Sequence, residues 1–189
     1  MMKKIALLVA LCFTAEVLMA APIPGRGNKV SPKLGIYKSP KGFQINLGGS
    51  EWIQQAPPKK TRNIATMFRS PHMKNNMRGT LTVRVDRLKK KMKLKSYVKR
   101  WTKQYPKFGF DVRGSRKFAI NGQKGYVIDL VNQKKQRQLR QVVFMRGSKA
   151  VLLTCRDHVK SFKGTLKECN RMIKNFRWTA SKKRRSKKA

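Results

Sequence analysis

The chain has 189 residues, of which 47 are lysine or arginine and 7 are aspartate or glutamate, so its formal net charge at pH 7 is +40. Hydrophobic residues make up 40% of the sequence, which is enough for the core of one domain and excludes a wholly disordered basic polypeptide. Because carboxylates are so few, catalytic carboxylate pairs and oxygen-ligand metal sites are disfavoured, and a binding or structural protein with anionic partners is favoured over an enzyme.

The first twenty residues have the pattern of a secretory signal peptide, which we assign to 1–20. Two lysines precede an apolar stretch at 5–13, and small residues follow at Ala20 and Ala21. The apolar stretch is too short to span a bilayer, which takes roughly 20 residues. We therefore expect export to the periplasm or the exterior. Lipidation of Cys12 is the alternative, but Leu11 stands where a lipidation signal has a small residue.

Removal of the signal peptide would leave a chain of net charge +39 with two cysteines, Cys155 and Cys169. Because exported proteins meet oxidising surroundings, this pair favours a disulfide. The closed loop of about 15 residues would stabilise the fold by about 3 kcal/mol through chain entropy. Two buried free thiols are the alternative. A zinc site is disfavoured because it needs about four ligands and His158 is the only obvious third.

Two segments flank the expected domain. Residues 21–33 hold three prolines and two glycines, which is typical of an extended linker. Residues 180–189 hold six basic residues, no acidic residue and no large apolar side chain, which is typical of a disordered polybasic tail. The folded domain is therefore expected over 34–179, and it contains no internal repeat.

Alternating apolar and polar residues predict several strands in this domain. The clearest are 43–47 and 80–86. Four more stretches are predicted to form two hairpins, 118–120 with 125–131 and 138–145 with 150–155. The first hairpin contains Asn121-Gly122, a pair that favours the positive φ angles of a tight turn.

Apolar residues at helical spacing predict two amphipathic helices. In 94–105 they occupy an arc of about 100° and are Leu94, Tyr97, Val98, Trp101 and Tyr105, with Pro106 ending the helix. In 162–177 they occupy an arc of about 120° and are Phe162, Leu166, Cys169, Met172, Ile173 and Phe176. Cys155 shares a strand face with Val151 and Leu153, so both thiols are expected at one helix–sheet interface. This placement supports the disulfide.

Short motifs along the chain follow a recognisable order. Residues 37–45 form a Ser-Pro-x-Gly-Phe turn that runs into a strand, and Trp52 follows. A Leu-Thr-Val strand at 81–83 and a Leu-x-x-Tyr-Val helix start at 94–98 come next, and a closing helix ends in Ile173-x-x-Phe176-x-Trp178. This order, over residues 37–178, resembles the PsbP/Mog1/DcrB-like superfamily.

The resemblance implies an α+β domain built as an α/β/α sandwich, with a central antiparallel sheet flanked by helices. Members mostly act as accessory or protein-binding factors and share no catalytic centre, so no catalytic, metal or cofactor residue is carried over. We expect a monomer without a cofactor and without enzymatic activity. The extreme basicity of this chain is a departure from typical members.

Basic residues cluster in three places, and clustered positive charges bind phosphates and other polyanions with release of counterions. Residues 84–107 carry eleven lysines and arginines against the single acidic residue Asp86. The candidate polyanion-binding residues are Lys89, Lys90, Lys91, Lys93, Lys134, Lys135, Lys182, Lys183, Arg184, Arg185, Lys187 and Lys188. A general basic bias of the surface without a selected ligand is the alternative.

Export places the expected partner at the cell envelope: lipopolysaccharide, anionic lipid, teichoic acid or an acidic protein. Nucleic acid is a further alternative, although Trp101 and Tyr105 lie on the apolar helix face and are expected in the core. A basic nuclease would need His72 and His158 as acid and base, and nothing in the sequence brings them together. A specific protein partner should tolerate salt better than a polyanion, because apolar contacts are not screened.

Overall fold

The structure is a computed structural model that describes residues 35–57, 61 and 63–179. The expected signal peptide, linker and basic tail lie outside the described residues, so their boundaries stay predictions. No helix within the described ranges is long and apolar enough to cross a membrane.

The described chain folds into ten strands, two α-helices and a short 3-10 helix at Tyr105–Phe108. The strands are β1 (Ile36–Ser39), β2 (Phe43–Asn46), β3 (Ile53–Gln55), β4 (Ile64–Lys74), β5 (Met77–Arg87), β6 (Asp111–Ile120), β7 (Gln123–Asn132), β8 (Arg137–Arg146), β9 (Lys149–His158) and β10 (Phe176–Trp178). The helices are α1 (Leu94–Thr102) and α2 (Phe162–Lys174).

Seven strands form one antiparallel sheet in the order β3-β4-β5-β9-β8-β7-β6, called the large sheet. The other three form a small antiparallel sheet in the order β1-β2-β10. A mostly antiparallel architecture with two helices confirms the predicted α+β class.

Alternation along the strands buries apolar side chains on both faces of the large sheet. On β9, Val151 and Leu153 belong to one hydrophobic cluster and Leu152 belongs to the other. The first cluster joins the large sheet to α2 and to the small sheet, and the second joins it to α1. Burial of this apolar surface is the main term that stabilises the domain.

The tight turns explain the hairpins. Asn121 and Gly122 connect β6 to β7 with φ angles of 51° and 72°, so the predicted hairpin is confirmed. A second Asn pair, Asn75 and Asn76, connects β4 to β5 with φ angles of 50° and 57°. This hairpin was not predicted from the sequence, although two consecutive asparagines tolerate the left-handed conformation that such a turn needs.

The structure corrects both predicted helix ends. Helix α1 stops at Thr102, and Tyr105 begins the separate 3-10 helix, in which Pro106 stands near the start. Helix α2 stops at Lys174, and Phe176 lies on β10 opposite Ile45 of β2. Phe176 lies three positions after Ile173, which fits a helix period, and two positions before Trp178, which fits a strand period, so the sequence alone did not separate the two.

The predicted disulfide is present between Cys155 on β9 and Cys169 on α2. The two Cα atoms are 6.0 Å apart, within the range that a disulfide spans, and both residues are fully buried. The bond attaches α2 to the middle of the large sheet.

Candidate functional site

The large sheet has two ends with different loops. The basic end consists of the loop 88–93, the turns 121–122 and 147–148, and the described chain's last residue, Thr179. The distal end consists of the turns 75–76 and 133–136 and the segment 159–161. At the basic end, the Leu88 N–H donates a hydrogen bond to Ser148 O at 2.8 Å. At the distal end, the Val159 N–H donates to Gln136 O at 3.1 Å. Strands of ten residues separate the ends by roughly 33 Å.

The structure divides the candidate polyanion-binding residues between these ends. Lys89, Lys90, Lys91 and Lys93 are exposed in the loop 88–93 at the basic end. Lys134 and Lys135 are exposed in the turn 133–136 at the distal end, so they cannot share one small ligand with the first group. The candidates in 182–188 lie outside the described residues. The chain leads towards them from Thr179, whose N–H donates to Gly42 O at 3.1 Å.

Four further cations converge at the basic end. The ammonium of Lys149 donates a hydrogen bond to the main-chain oxygen of Lys41. Burial lowers the pKa of Lys149, and the nearby charges of Arg87, Arg146 and Lys41 lower it further. Lys41 and Arg87 are distant in sequence from Arg146 and Lys149, and the pairing of β5, β9 and β8 brings the last three together, so no single basic stretch of the sequence predicted the cluster.

Arg146 binds the last described residue, Thr179, to the sheet. Its guanidinium donates to Thr179 O at 3.0 Å and to Gly42 O at 3.3 Å. The same group lies 4.6 Å from the ring centre of Trp178, which is cation–π distance. The last described residue, Thr179, therefore lies beside the cationic cluster.

The position of Trp101 differs from the prediction. Its side chain is half-buried rather than in the core, and it lines a groove at the basic end. The guanidinium carbon of Arg84 lies 4.5 Å from the indole centre, and the Tyr105 ring stacks on it at 6.2 Å. Tyr105 itself is in the core, as predicted, and its hydroxyl donates to Gln141 Oε1.

The distal end has a cleft of about 430 Å³ between the β4–β5 hairpin and α2, called the distal cleft. Three acidic residues line it: Glu51, Asp157 and Glu168. His72 pairs with Glu51 at 3.4 Å, whereas His158 Nδ1 accepts a bond from the Lys160 N–H at 3.2 Å. Each histidine thus has its own partner. Within the described part of the chain, no group of three or more His, Cys, Asp or Glu is arranged to hold a metal ion.

No protein-family model and no curated protein sequence matches the chain. Solved structures do match. Cyanobacterial PsbP from Synechocystis sp. PCC 6803 aligns over 84% of this chain and 98% of its own length, with a TM-score of 0.55 and 14% identity. The chain has a PsbP-like fold. The resemblance indicated by motif order is thereby confirmed at the level of the fold.

A second structure shares the PsbP-like fold of this chain. It is a protein of unknown function from Pseudomonas aeruginosa, which aligns over 70% of this chain and all of its own length, with a TM-score of 0.56 and 14% identity. Because unrelated functions recur on one fold, the function of this PsbP-like domain has to be argued from its own residues.

Proposed function

We propose that the chain is an exported, non-enzymatic binding module that engages an anionic component of the cell envelope through the basic end of its sheet. The observation that carries the proposal is the convergence of Lys41, Arg87, Arg146 and Lys149 beside the lysine-rich loop 88–93. The PsbP-like fold supports an accessory or binding role, and the disulfide between Cys155 and Cys169 supports export.

Electrostatics supplies the mechanism. Cations held this close repel one another, which adds to the effect of burial in lowering the pKa of Lys149, and they concentrate counterions around them. A polyanion relieves the repulsion and releases those counterions to solution. Near an anionic membrane, each Lys or Arg contributes roughly 1 kcal/mol. Lipopolysaccharide, anionic lipid and teichoic acid all present phosphate groups to such a surface.

The separation of the two ends suggests a different use for each. A membrane that meets the sheet end-on contacts only one of two ends that are roughly 33 Å apart. A long polymer could contact the basic end and also reach Lys134 and Lys135. We propose the basic end as the primary contact and the Lys134–Lys135 pair as a second contact for polymers only.

Salt-dependent binding to vesicles tests this function. The protein from residue 21 onward is sedimented with phosphatidylglycerol vesicles, and with neutral phosphatidylcholine vesicles as the blank. One variant carries Lys→Gln at Lys89, Lys90, Lys91 and Lys93. The matched control carries Lys→Gln at four exposed lysines on the distal side: Lys74, Lys160, Lys163 and Lys167.

Both variants lose four charges, so net charge alone predicts equal losses. We expect the basic-end variant to lose about tenfold or more in affinity at physiological salt, with a shallower salt dependence, and the control to lose severalfold less. Equal losses would show that the charge acts as a background property. Absence of vesicle binding by the parent protein would refute the lipid partner.

A protein partner is the second candidate, and the edge of the large sheet favours it. Strand β6 has ten residues, most of them exposed, and pairs only with β7 among the described strands. Beside it lies a largely apolar groove lined in part by Leu94, Phe118 and Tyr126. Such an edge can accept an added strand from another chain. Binding through it would persist in salt that abolishes vesicle binding.

A further inference from the structure

A groove of about 520 Å³ opens at the basic end, between the last residues of β5 and helix α1, and we call it the arginine groove. Residues that line it include Lys41, Arg84, Asp86, Arg87, Arg100 and Trp101. None of them belongs to the candidate set read from the sequence. The four cations exceed the one carboxylate by three charges.

Arg84 is held in place inside the arginine groove. Strand alternation places Val83 and Val85 in the cluster that contains α2, so Arg84 and Asp86 face α1. Arg84 Nη2 donates to Asp86 Oδ2 at 3.2 Å, and the Tyr97 hydroxyl donates to the same oxygen at 2.5 Å. The guanidinium is therefore oriented against Trp101 before any ligand arrives, which lowers the entropic cost of binding.

One donor beside the arginine groove lacks an acceptor. The indole N–H of Trp101 is buried and has no hydrogen-bond partner among the described residues. The Arg84 Nε, in contrast, is ion-paired with Asp86 Oδ1 at 3.2 Å. Buried donors without acceptors are rare and costly. An oxyanion carries the lone pairs that such a donor needs, provided that a small shift of the side chain opens the indole N–H to the groove.

The neighbours of the Trp101 ring favour recognition of a phosphate over stacking of a nucleobase. Arg84 packs on the Trp101 ring at 4.5 Å, and Tyr105 stacks on it at 6.2 Å. A nucleobase stacking on Trp101 would have to compete with these neighbours. A phosphate group needs no ring face and can pair with the planar donor forks of Arg84 and Arg100.

We propose that the arginine groove binds a phosphate monoester group. The inference rests on the proposed function, and it adds that one phosphate is recognised by directional hydrogen bonds rather than by diffuse charge. A monoester carries nearly two negative charges at neutral pH, which suits the excess of three positive charges in the groove. The phosphate could be free or belong to a lipid headgroup.

The test titrates the protein from residue 21 onward with glycerol 1-phosphate in a calorimeter at physiological salt. Three variants are compared: Arg87→Gln with Arg100→Gln, Arg87→Lys with Arg100→Lys, and the control Lys160→Gln with Lys163→Gln. Arg87 and Arg100 are both exposed, so these variants should keep the parent melting temperature. The double glutamine variant (the glutamine pair) and the control each lose two positive charges. The double lysine variant (the lysine pair) keeps both charges and loses only the guanidinium geometry.

We expect saturable binding of one glycerol 1-phosphate per chain. The glutamine pair should weaken it about tenfold and the lysine pair severalfold, because bidentate geometry is lost, while the control stays within about twofold. A lysine pair equal to the parent, or a control that loses as much as the glutamine pair, would overturn the inference.

Vesicle binding distinguishes lipid phosphate from free phosphate. It also distinguishes failure of the arginine groove from failure of the basic end as a whole. Phosphatidic acid, a monoester, should bind more tightly than phosphatidylglycerol, a diester, at equal surface charge if the groove takes lipid headgroups. Binding of glycerol 1-phosphate without this preference would assign the groove to free phosphate esters. A different outcome would reject the groove and leave the proposed function standing. In that outcome the basic-end variant loses vesicle binding, and the parent protein shows no saturable binding of glycerol 1-phosphate.

Discussion

The two ends of the large sheet differ mainly in where the acidic residues lie. Both ends carry exposed lysines. Of the six acidic residues in the described ranges, Asp86 alone lies at the basic end, whereas Glu51, Asp157 and Glu168 line the distal cleft. In a chain of net charge +40, the placement of a few carboxylates therefore sets where positive charge is least compensated.

Two half-buried cations, Arg156 at the distal end and Lys149 at the basic end, illustrate the difference. At the distal end, burial, Arg137 and Arg69 lower the pKa of Arg156, while the nearby charge of Asp157 acts in the opposite direction. At the basic end, burial and three cations lower the pKa of Lys149, and no acidic residue offsets them. An acidic residue thus partly offsets the cationic neighbours at the distal end and none does so for Lys149, which is consistent with the proposed binding of an anion at the basic end.

The largest expected effect comes from removing the disulfide, which tests whether the ends are independent. The double variant Cys155→Ala with Cys169→Ala should lose about 3 kcal/mol of stability, because the unfolded chain regains the entropy of the closed loop. For a domain of this size, the melting temperature should fall by roughly 6–12 °C. Calorimetry measures the change, with the reduced parent protein as a reference.

Vesicle affinity of the same double variant, measured well below its melting temperature, should stay within about twofold of the parent. A loss of vesicle affinity as large as the loss of stability would show that α2 and the disulfide maintain the conformation of the basic end. The two ends would then not be independent.

The next effect concerns Asp86, the single carboxylate of the basic end. Asp86→Asn should cost about 1.5–3 kcal/mol, because Arg84 and Tyr97 lose a charged acceptor. The same change removes the one negative charge of the arginine groove, and we expect this to outweigh the lost orientation of Arg84 and to raise the affinity for glycerol 1-phosphate severalfold. Calorimetric titration and thermal melting would measure the two opposite changes on one protein.

Asp129→Asn is the matched control for that variant. Asp129 accepts two hydrogen bonds from Arg140, at 2.6 and 2.9 Å, and lies in the interior of strand β7, away from the groove. It should lose comparable stability without a gain in affinity. An equal gain in both variants would mean that net charge, and not the composition of the basic end, controls binding.

The smallest effect is the pH dependence of Lys149. Its pKa in the folded protein is below the ordinary value of 10.5, so on raising the pH the folded form loses this proton before the unfolded chain does. Stability should therefore rise with pH as the pH passes through the folded pKa towards 10.5. Tyr105, whose pKa burial raises to about 12, acts in the opposite direction only above pH 10.

Lys149→Gln should remove that rise and increase the melting temperature slightly at low salt. At 1 M salt, where the Debye length is about 3 Å, the repulsive part of the difference from the parent should largely disappear. Thermal melts between pH 8 and 10 at two salt concentrations measure it. A variant less stable than the parent at low salt would mean that the hydrogen bond from Lys149 to Lys41 O outweighs the repulsion.

The sequence by itself determined the elements whose signals are local. The Asn121-Gly122 turn needs only the φ preferences of two residues, and the starts of α1 and α2 follow from apolar side chains three and four positions apart. The disulfide followed because only Cys155 and Cys169 remain after the expected cleavage. The lysine-rich loop 88–93 was also predictable from the sequence, because its charges are close together along the chain.

The tertiary structure decided what depends on distant pairing. Phe176 becomes a strand residue because β2 offers it a partner, and no local period distinguishes a strand of three residues from a helix end. The arginine groove and the cluster around Lys149 draw on β5, α1, β8, β9 and the β1–β2 turn, which meet only after the sheet forms. Charge composition is additive along a chain, but an electrostatic site depends on distances between groups, and only folding sets those distances.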